Sequence, residues 1–572
     1  MPTQKSNPAR ATVSALTARP SADVLVIGAG INGIATFRDL ALNGVDVALV
    51  ERDDYVAGAS AASSHMVHGG IRYLENGEFR LVQESVHERN ALLRLAPHYV
   101  RPLRTTIPIF STFSSILSAP LKFIGVKGGA KKERGALIIK VGLSIYDTFS
   151  RDGGRVPRHQ FRGAEASRRE LPQLRDDVKW TATYYDASMH DPERLALDVL
   201  GDGIAAGPHA RATNYVEAVG MRDDGTVRLR DVVTGEEFDF AAKLVVNASG
   251  PWTDQTNDAL GQPSRYMGGT KGSHIVLDHP ELLEACNGRE IFFEFTDGRI
   301  VLIYPLKGRV LVGTTDLAHD MREPIRCTEE EVDYFFDLVK HVFPRIHVDR
   351  SQIVFRFSGV RPLPRQDADS TGQISRDYRI EKGARGDVPV LSLVGGKWTT
   401  FRALGEHLAN EVMGLIGRSR TVSTDGRLIG GAVGYPTTDA EREAWLREHG
   451  AVVGRERAAT LLDRYGTSAE ALIERIASGQ DAPLESAPAY SRLELQHLVQ
   501  TEQVVRLVDV VLRRTSMAFT GAVTSAVLDE LADVVGEVLG WSDEQRRAER
   551  AAAADYLADH HGVDVDHPQG AR

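Results

Sequence analysis

The chain has 572 residues, of which 42% are hydrophobic and 26% charged, and its formal net charge is −10. Its length predicts two or three domains, its acidic balance argues against nucleic acid as a main partner, and it contains no apolar run of 18 or more residues that could span a bilayer. The two cysteines, Cys286 and Cys327, exclude a disulfide framework, an iron–sulfur cluster held by this chain alone and a Cys-x-x-Cys redox pair. We therefore expect a reduced, intracellular protein without metal ligands, whose electron chemistry comes from an organic cofactor.

The first 22 residues contain Lys5, Arg10 and Arg19 among Ser, Thr, Ala and Pro. They have no apolar core of the kind found in secretory signals. We predict a disordered, solvated tail over residues 1–22.

A glycine-rich turn follows the first apolar run. Residues 24–27 read as a buried strand, Gly28-Ala29-Gly30-Ile31-Asn32-Gly33 follows, and residues 34–42 have helical character. A second apolar strand over residues 45–50 ends in Glu51. This is the order of a βαβ dinucleotide-binding unit, with an acid about 20 residues after the glycines. A structural turn that binds nothing is the alternative.

Each part of this unit has a physical task. Gly28 permits the tight turn, Gly30 lets the backbone approach a diphosphate, and Gly33 lets the helix pack closely on the strand. The helix N-terminus offers N–H groups and partial positive charge to the diphosphate. Glu51 is predicted to accept hydrogen bonds from ribose hydroxyls, and its charge disfavours the 2′-phosphate of NADP.

The stretch from Arg101 to Ser150 combines apolar residues with a basic cluster. Phe110, Phe113 and Leu121 are followed by several lysines between positions 122 and 140, with Glu133 as the only acid among them. Such a segment suits the surface of an anionic membrane. A solvated, charged excursion of a substrate domain is equally compatible with it.

Later segments predict two further regions. Short strands at hairpin spacing over residues 291–295, 300–304 and 310–313 indicate a mixed or antiparallel sheet, separate from the parallel one. Beyond the glycine turns near residue 435, apolar residues recur at helical spacing over residues 523–538. We predict a domain boundary near residue 435 and a helical domain after it.

Three glycine-bearing strand ends suggest one long ligand. Besides the first turn, strand-like runs end in Asn247-Ala248-Ser249-Gly250 and in Gly395-Gly396. Parallel strands place their carboxyl ends at one edge of a sheet, where ligands bind. A flavin dinucleotide needs backbone approach along more of its length than a nicotinamide dinucleotide does, so FAD is favoured over NAD.

Histidine and cationic residues indicate a site for an anion. His274 enters a strand after Lys271-Gly272-Ser273, and histidine is the usual general base near neutral pH. Guanidinium and ammonium groups clamp carboxylate or phosphate oxygens. Each cation taken alone is also compatible with a surface salt bridge. The cationic candidates are Arg72, Arg361, which we expect in a turn, Arg376 and Lys397.

With these residues in hand, the chain resembles the FAD-dependent glycerol-3-phosphate dehydrogenases of the D-amino-acid-oxidase-like flavoprotein group. The resemblance extends from about Asp23 to Arg402, and the helical tail is also typical of that family. It rests on seven motifs: HGGIRYLE (68–75), NASGPW (247–252), KGSH (271–274), GTTD (313–316), SGVRPL (358–363), SRDY (375–378) and GGKWTT (395–400).

The resemblance implies an α/β fold with three regions. Residues 1–22 form the tail, residues 23–435 a Rossmann-like FAD-binding domain with an interleaved mixed or antiparallel substrate domain, and residues 436–572 an all-α domain. It also implies oxidation of sn-glycerol 3-phosphate to dihydroxyacetone phosphate through FAD, with a membrane quinone as electron acceptor. We accordingly expect a cytoplasmic protein bound peripherally to the inner face of the cell membrane, and leave a homodimer open.

The resemblance also assigns residues. His274 is the expected base and Arg361 the group that stabilises the alkoxide, although the two roles could be exchanged. The family commonly has lysine after the paired serines, where this chain has His65, so no role is assigned to His65. The expected substrate contacts are Arg72, Tyr73, Lys271, Thr315, Arg376 and Lys397. The expected FAD contacts are Gly28, Gly30, Ile31, Asn32, Gly33, Glu51, Ser63, Ser64, His68, Gly69, Gly70, Ala248, Gly250, Gly395, Gly396 and Lys397.

Three other functions remain open. A glycerol-3-phosphate oxidase shares the fold and site but passes electrons to oxygen. An oxidase of amino acids or 2-hydroxy acids belongs to the same fold group. A flavin-binding redox sensor has no need of His274 or of the cations.

Overall fold

The computed structural model describes residues 10–70, 79–110, 143, 157–365 and 377–567. Over these residues the chain forms two β-sheets and a helical C-terminal region. This confirms the predicted α/β fold class with a mixed second sheet and a C-terminal helical domain.

The strands, in chain order, are β1 (Ser21–Ile27), β2 (Val47–Val50), β3 (Met66–Val67), β4 (Val100–Ile109), β5 (Gln160–Gly163), β6 (Trp180–Met189), β7 (Ala210–Thr213), β8 (Val216–Met221), β9 (Thr226–Asp231), β10 (Glu237–Asn247), β11 (Thr270–Leu277), β12 (Glu290–Glu294), β13 (Ile300–Leu306), β14 (Arg309–Gly313), β15 (Leu317–Ala318), β16 (Ile353–Arg361), β17 (Arg379–Arg385) and β18 (Val388–Val394).

The helices are α1 (Ala11–Ala18), α2 (Ile31–Leu42), α3 (Phe79–Leu95), α4 (Ala164–Glu170), α5 (Pro192–Ile204), α6 (Thr253–Ala259), α7 (Pro280–Ala285), α8 (Glu329–Val342), α9 (Phe401–Leu415), α10 (Asp439–Val453), α11 (Arg455–Tyr465), α12 (Ala469–Ser478), α13 (Arg492–Thr501), α14 (Leu507–Asp509), α15 (Ser525–Leu539) and α16 (Asp543–His561). Helix α14 continues into a π-helical turn, Val510–Arg514.

The first sheet, which we call the cofactor sheet, has the strand order β17-β18-β10-β1-β2-β7, with β8 and β9 attached beside β10. The five strands from β18 to β7 are parallel. Residues 24–27 of β1 are all buried: Val24 and Val26 pack with α2, while Leu25 and Ile27 pack with α1 and strands β8 and β9. Helix α2 packs between this sheet and helices α5 and α9.

The second sheet, the substrate sheet, contains ten of the described strands. Strand β11 is central to the site because it pairs antiparallel with β14 on one side and with β16 on the other. One face of this sheet packs on α8, through residues such as Ile275 and Val312. The opposite face packs in part on the C-terminal helices, through Val276, Leu311 and Phe355.

The prediction of a disordered tail over residues 1–22 is wrong for the part that the structure describes. Residues 11–18 form α1, whose Leu16 is fully buried, and residues 21 and 22 already belong to β1. Arg10 is buried and pairs with Asp231. Leu16, with Val13 beside it, and the ion pairs of Arg10 with Asp231 and of Arg19 with Asp46 anchor this segment, and none of these contacts produces a hydrophobic period in the sequence. Residues 1–9 lie outside the described residues.

The membrane-surface prediction concerns residues that are mostly outside the described ranges. Within the segment 101–150, only residues 101–110 and 143 are described. Among the described residues of the chain, no helix is both long and apolar enough to cross a membrane.

The C-terminal helices are joined to the cofactor sheet by a buried ion cluster. Both Arg513 and Arg514 pair with Asp54, which follows strand β2. Asn214 also donates to Asp54, at 2.8 Å. Burial alone raises the pKa of Asp54, but the charges of Arg514 and Arg513 outweigh it and hold that pKa well below its usual value. The carboxylate therefore stays ionised at neutral pH.

We predict that Asp54→Asn destabilises the protein by about 3–5 kcal/mol, because it removes the carboxylate that two buried guanidinium groups share and leaves Arg513 paired with Asp509 alone. Denaturant unfolding measures the change. The control is Asp223→Asn, whose carboxylate is 87% exposed beside Arg385 and is worth at most about 1 kcal/mol. Because the pKa of Asp54 is lowered on folding, its contribution is present above the unfolded-state pKa and is lost as the pH falls. Equal effects of the two substitutions contradict the prediction.

Candidate active site

The three predicted glycine turns meet at one edge of the cofactor sheet. In the parallel register, Ile27 lies beside Asn247 and Asn247 beside Ser392, so β1, β10 and β18 end together. A Cβ atom added to Gly28, which has φ +102°, lies 2.7 Å from the carbonyl oxygen of Ala248. The first two turns are thus in direct contact, which only glycine at position 28 allows.

Gly33 of α2 packs closely on the strand end as predicted, and Gly396 approaches the same helix. A Cβ atom on Gly33 lies 2.0 Å from the carbonyl oxygen of Gly28, so this position brings α2 close to the end of β1. A Cβ atom on Gly396 lies 2.4 Å from the side chain of Asn32, so the third turn touches the start of α2. Gly30 occupies the N-cap of that helix.

These turns line a cleft of ≈1170 Å³, which we call the cofactor cleft. The predicted residues in its lining are Gly28, Gly30, Ile31, Asn32, Glu51, Ala248, Gly250 and Gly395. The backbone is bare at the turns and the N-terminus of α2 faces the cleft, so the residues present fit the diphosphate and nucleoside of a dinucleotide. Ser60 supports this end because its hydroxyl accepts from the N–H of Ile31 at 3.0 Å.

Glu51 lines the cleft and is held by the backbone. Its Oε2 accepts from the N–H of Ala29 at 2.7 Å and its Oε1 from that of Asp53 at 3.0 Å. Burial raises the pKa of this carboxyl group. The carboxylate thereby ties the glycine turn to the end of β2, and its predicted contact with ribose stays a prediction.

A second cavity of ≈1480 Å³, the substrate cavity, adjoins the cleft; Ala59 and Pro362 line both. It lies between the loop after Glu51 and one face of the substrate sheet. The predicted site residues in its lining are Ser63, Ser64, His68, Gly70, His274, Arg361, Gly396 and Lys397. The structure thus brings the expected catalytic pair and Lys397 together with the polar segment 63–70.

His274 is a buried, neutral base in this cavity. Its Nε2 lies 2.8 Å from the hydroxyl of Ser64, and its ring stacks on Phe357 at 4.8 Å between centroids. Burial, followed by the positive charge of Arg361, lowers the pKa of His274 well below its usual value. A neutral imidazole in this position can accept a proton.

Arg361 closes β16 and is part of the strand rather than of the expected turn. Its guanidinium donates to Asp316 at 3.0 Å and to both the Thr314 hydroxyl and the Thr315 carbonyl oxygen at 3.1 Å. The side chain lies over Gly272 on the neighbouring strand, where an added Cβ atom falls 2.4 Å from Nη2. The missing side chain at position 272 therefore makes room for this guanidinium.

Two predicted substrate residues lie outside the lining of the substrate cavity. Lys271 Nζ donates to Glu331 at 2.8 Å and to the carbonyl oxygen of Arg326 at 2.6 Å. The hydroxyl of Thr315 donates to the same Glu331 at 2.6 Å. Both side chains are buried. Their contact with substrate stays a prediction.

Gly69 lies beside the cavity, where its N–H donates to Asp186 at 3.0 Å. Asp186 itself lines the cavity and also accepts from buried Arg89. Arg72, Tyr73 and Arg376 lie outside the described residues.

His65 does not line the substrate cavity. Its ring packs between Phe357 and Phe519, and Nδ1 lies 3.3 Å from the carbonyl oxygen of Met189. Burial lowers the pKa of His65 to about 4. Position 65 therefore holds an uncharged ring within the aromatic contact with the C-terminal domain.

Three residues of the site were not predicted from the sequence. Trp398 lies in the motif GGKWTT, but only the structure shows that its indole N–H donates to the carbonyl oxygen of Ser60 at 2.8 Å. Phe357 has no sequence signal beyond the period of its strand. Glu331 has one, since Thr328 and Glu331 have the spacing of a helix capping box.

Comparison with known families agrees with this geometry. The family described as FAD dependent oxidoreductase matches residues 23–411. The chain belongs to this family. Residues 422–546 match a second family, described as the C-terminal domain of alpha-glycerophosphate oxidase. The cofactor is therefore FAD. The residues that line the cofactor cleft and the adjoining substrate cavity fit this group. The proposed boundary near residue 435 falls within the second match.

Relatives match over most of their length. A glycerol-3-phosphate dehydrogenase from Synechocystis sp. is 32% identical over 91% of this chain and 94% of its own. A D-erythritol 1-phosphate dehydrogenase from Brucella abortus is 31% identical over 86% and 94%. The solved structure of a Bacillus halodurans glycerol-3-phosphate dehydrogenase with FAD has the same fold, with a TM-score of 0.73, 22% identity and coverage of 96% of this chain and 97% of that one.

Among the described residues, no group of three or more His, Cys, Asp or Glu side chains is arranged to hold a metal ion. Both cysteines are free, and burial raises the pKa of each thiol to about 12.

We predict that Gly272→Ala slows flavin reduction without unfolding the protein. The new methyl group displaces the guanidinium of Arg361, which is the end of a flexible side chain, so the backbone can stay in place. Displacement by about 1 Å can cost about 100-fold in rate. Stopped-flow flavin reduction measures the effect. Gly414→Ala, at an exposed helical site with nothing near its added Cβ, is the matched control; equal rates in both variants contradict the assignment of Arg361.

Proposed function

We propose that this protein oxidises sn-glycerol 3-phosphate to dihydroxyacetone phosphate and passes the electrons through FAD to a membrane quinone. One observation carries the proposal. A neutral buried imidazole and a guanidinium lie on one face of the substrate sheet, in a cavity that continues into the FAD cleft. The names of the relatives support the same substrate.

The residues divide the reaction between them. FAD, when bound, supplies the hydride acceptor. His274 accepts the proton of the C2 hydroxyl, and Arg361 stabilises the oxygen as negative charge develops there. The Ser64 hydroxyl orients the imidazole through Nε2. An exchange of roles between His274 and Arg361 stays open in the proposal.

Binding of the phosphate is assigned to the cations at the site. Lys397 lines the substrate cavity directly after the third glycine turn. Arg72 and Arg376 complete the proposed set from segments outside the described residues, and Tyr73 accompanies them. Because Asp316 already partly neutralises Arg361, the dianionic phosphate needs these additional charges.

The quinone is proposed from the sequence. The basic and apolar stretch after Phe110 suits a peripheral position at the inner, cytoplasmic face of the cell membrane, where quinones are found. An oxidase that uses oxygen is the competing function, and a flavin-binding sensor that glycerol 3-phosphate does not reduce is the non-enzymatic one. A homodimer is compatible with each of these.

A second substrate has specific support. One relative, 31% identical, is a D-erythritol 1-phosphate dehydrogenase. Both compounds carry a secondary hydroxyl group next to the phosphate-bearing carbon, so the same base and cations suit both. Anaerobic titration of the oxidised flavin with each compound, and with an amino acid and a 2-hydroxy acid, ranks them. We expect glycerol 3-phosphate to bleach the flavin at the lowest concentration; bleaching by an amino acid alone contradicts the proposal.

We predict that His274→Ala slows flavin reduction by at least about 100-fold, as expected for loss of a general base. Binding of dihydroxyacetone phosphate to the oxidised protein should weaken much less, because the phosphate cations remain. Stopped-flow absorbance gives the rate and a flavin difference spectrum gives the binding. An unchanged reduction rate removes His274 from this role.

The pH dependence tests the same residue in the native protein. Since burial and Arg361 lower the pKa of His274 below its ordinary value of 6.5, the base is already deprotonated near neutral pH. With saturating substrate, so that protonation of the free substrate phosphate, which has a second pKa of about 6, does not limit binding, the reduction rate should therefore stay constant as the pH falls through 6.5 and decline only at lower pH. A decline centred on the ordinary histidine pKa speaks against a buried neutral base.

The acceptor is tested on protein reduced anaerobically with glycerol 3-phosphate. Mixed with a water-soluble quinone analogue, the flavin should reoxidise much faster than in air-saturated buffer, with little hydrogen peroxide formed. Stoichiometric peroxide and equal rates identify an oxidase instead.

A further inference from the structure

Strands β11 and β16, which carry His274 and Arg361, each have one face toward the substrate cavity and one face turned away from it. Successive side chains of a strand point to alternate faces. On β11, His274 and Gly272 face the substrate cavity, while Lys271 and Ser273 face α8. On β16, Arg361 faces the cavity, Phe357 lies on the same face of the strand against the ring of His274, and Ser358 faces away, with its hydroxyl 2.7 Å from that of Ser273.

A single carboxylate, that of Glu331, accepts hydrogen bonds from side chains on the face that is turned away from the cavity. Glu331 lies in the first turn of α8, and its side chain is almost completely buried. Oε1 accepts from the hydroxyls of Ser273 at 2.8 Å and Thr315 at 2.6 Å. Oε2 accepts from Lys271 Nζ at 2.8 Å and from the N–H of Thr328 at 2.9 Å. One side chain thus connects β11, the loop after β14 and the start of α8.

Two short paths lead from this carboxylate to the reacting groups. Thr315, held by Glu331, accepts from the N–H of Ser273 at 2.9 Å and offers its carbonyl oxygen to Arg361 at 3.1 Å. Ser273 precedes His274 in the same strand. Glu331 itself does not line the cavity, so any influence on the reaction passes through these neighbours.

The charge of Glu331 is retained inside the protein. Burial alone raises its pKa, but the hydrogen bonds from Lys271 and Thr315 outweigh burial and hold that pKa below the usual value. Hydrogen bonds to an ionised acceptor are shorter and about twice as strong as neutral ones. A charged carboxylate can therefore fix its partners more firmly than an amide or hydroxyl of the same size.

We propose that Glu331 is a positioning residue, which sets the guanidinium of Arg361 and the strand that carries His274 from behind the active-site face. Lys271 and Thr315 belong to this support, in place of the direct substrate contacts that the sequence suggested. The inference rests on the proposed function, since it assumes that Arg361 contacts the substrate oxygen.

The first experiment is a double-mutant cycle read by equilibrium binding. Dihydroxyacetone phosphate is titrated into the oxidised holoenzyme and followed by the flavin difference spectrum. We expect Glu331→Gln to raise its Kd by about tenfold, but by less than about twofold when Arg361→Lys is already present, because residues that act through one another are not additive. The control, Asp337→Asn on the exposed side of the same helix, should leave the Kd unchanged.

Thermal unfolding, compared with the Kd, distinguishes a positioning role of Glu331 from a role in stabilising the fold alone. Glu331→Gln leaves Lys271 buried without its counter-charge, so a lower Tm is expected in any case. If the Tm falls while the Kd matches that of Asp337→Asn, Glu331 only stabilises the fold and the proposal is overturned. Additive effects of Glu331→Gln and Arg361→Lys overturn it as well.

A second pair of variants serves if Glu331→Gln does not fold. Thr315→Val removes the hydroxyl that Glu331 holds, and Thr315→Ser retains it. Positioning predicts a raised Kd for Thr315→Val, recovery in Thr315→Ser, and no further effect of Thr315→Val beside Arg361→Lys. A loss that persists beside Arg361→Lys identifies direct contact between Thr315 and the ligand, and overturns the proposal. If the unaltered protein binds no dihydroxyacetone phosphate, the proposed function fails instead.

Discussion

The common end of three parallel strands is the constraint on which the rest of the site depends. Because β1, β10 and β18 finish in register, the turns after them must share a space too small for side chains. Glycine at positions 28, 33 and 396 satisfies this condition, and the resulting strip of bare backbone is what a dinucleotide diphosphate can approach. The face of the substrate sheet that carries His274 and Arg361 lies at one end of that strip. Ala59 and Pro362, which line both the cofactor cleft and the substrate cavity, mark this junction.

Alternation along β11 and β16 separates chemistry from support. The face that lines the substrate cavity carries His274 and Arg361, and Gly272 between them leaves the guanidinium its space. On the opposite face, Lys271 and Ser273 bind the carboxylate of Glu331 on α8 directly, and Ser358 is joined to it through Ser273. A strand is well suited to this arrangement because adjacent residues serve different sides at a fixed distance. The same alternation explains the motif KGSH, in which Gly272 and His274 face the substrate cavity while Lys271 and Ser273 face α8.

Much of this could be predicted from the sequence, for reasons that differ by region. The glycine turns carry a steric requirement that few residue types meet, so their task can be deduced before any fold is known. Buried strands such as β18 are recognisable by their apolar runs. The anchoring of α1 could not be deduced, since it depends on Arg10 meeting Asp231, more than 200 positions away. The environments of Lys271 and His65 were equally hidden, because a motif identifies a residue without saying which face of a strand it occupies.

The ion cluster at Asp54 links the loop beside the cofactor cleft to the C-terminal helices. Asp54 lies three residues after Glu51, and Val56, two residues further, donates its N–H to the carbonyl oxygen of Ala29 in the first glycine turn at 3.0 Å. The loop that fixes Arg513 and Arg514 is thus the same loop that shapes the cofactor cleft. Because one loop makes both sets of contacts, a displacement of residues 51–56 changes the wall of the cofactor cleft and the seat of the C-terminal helices together.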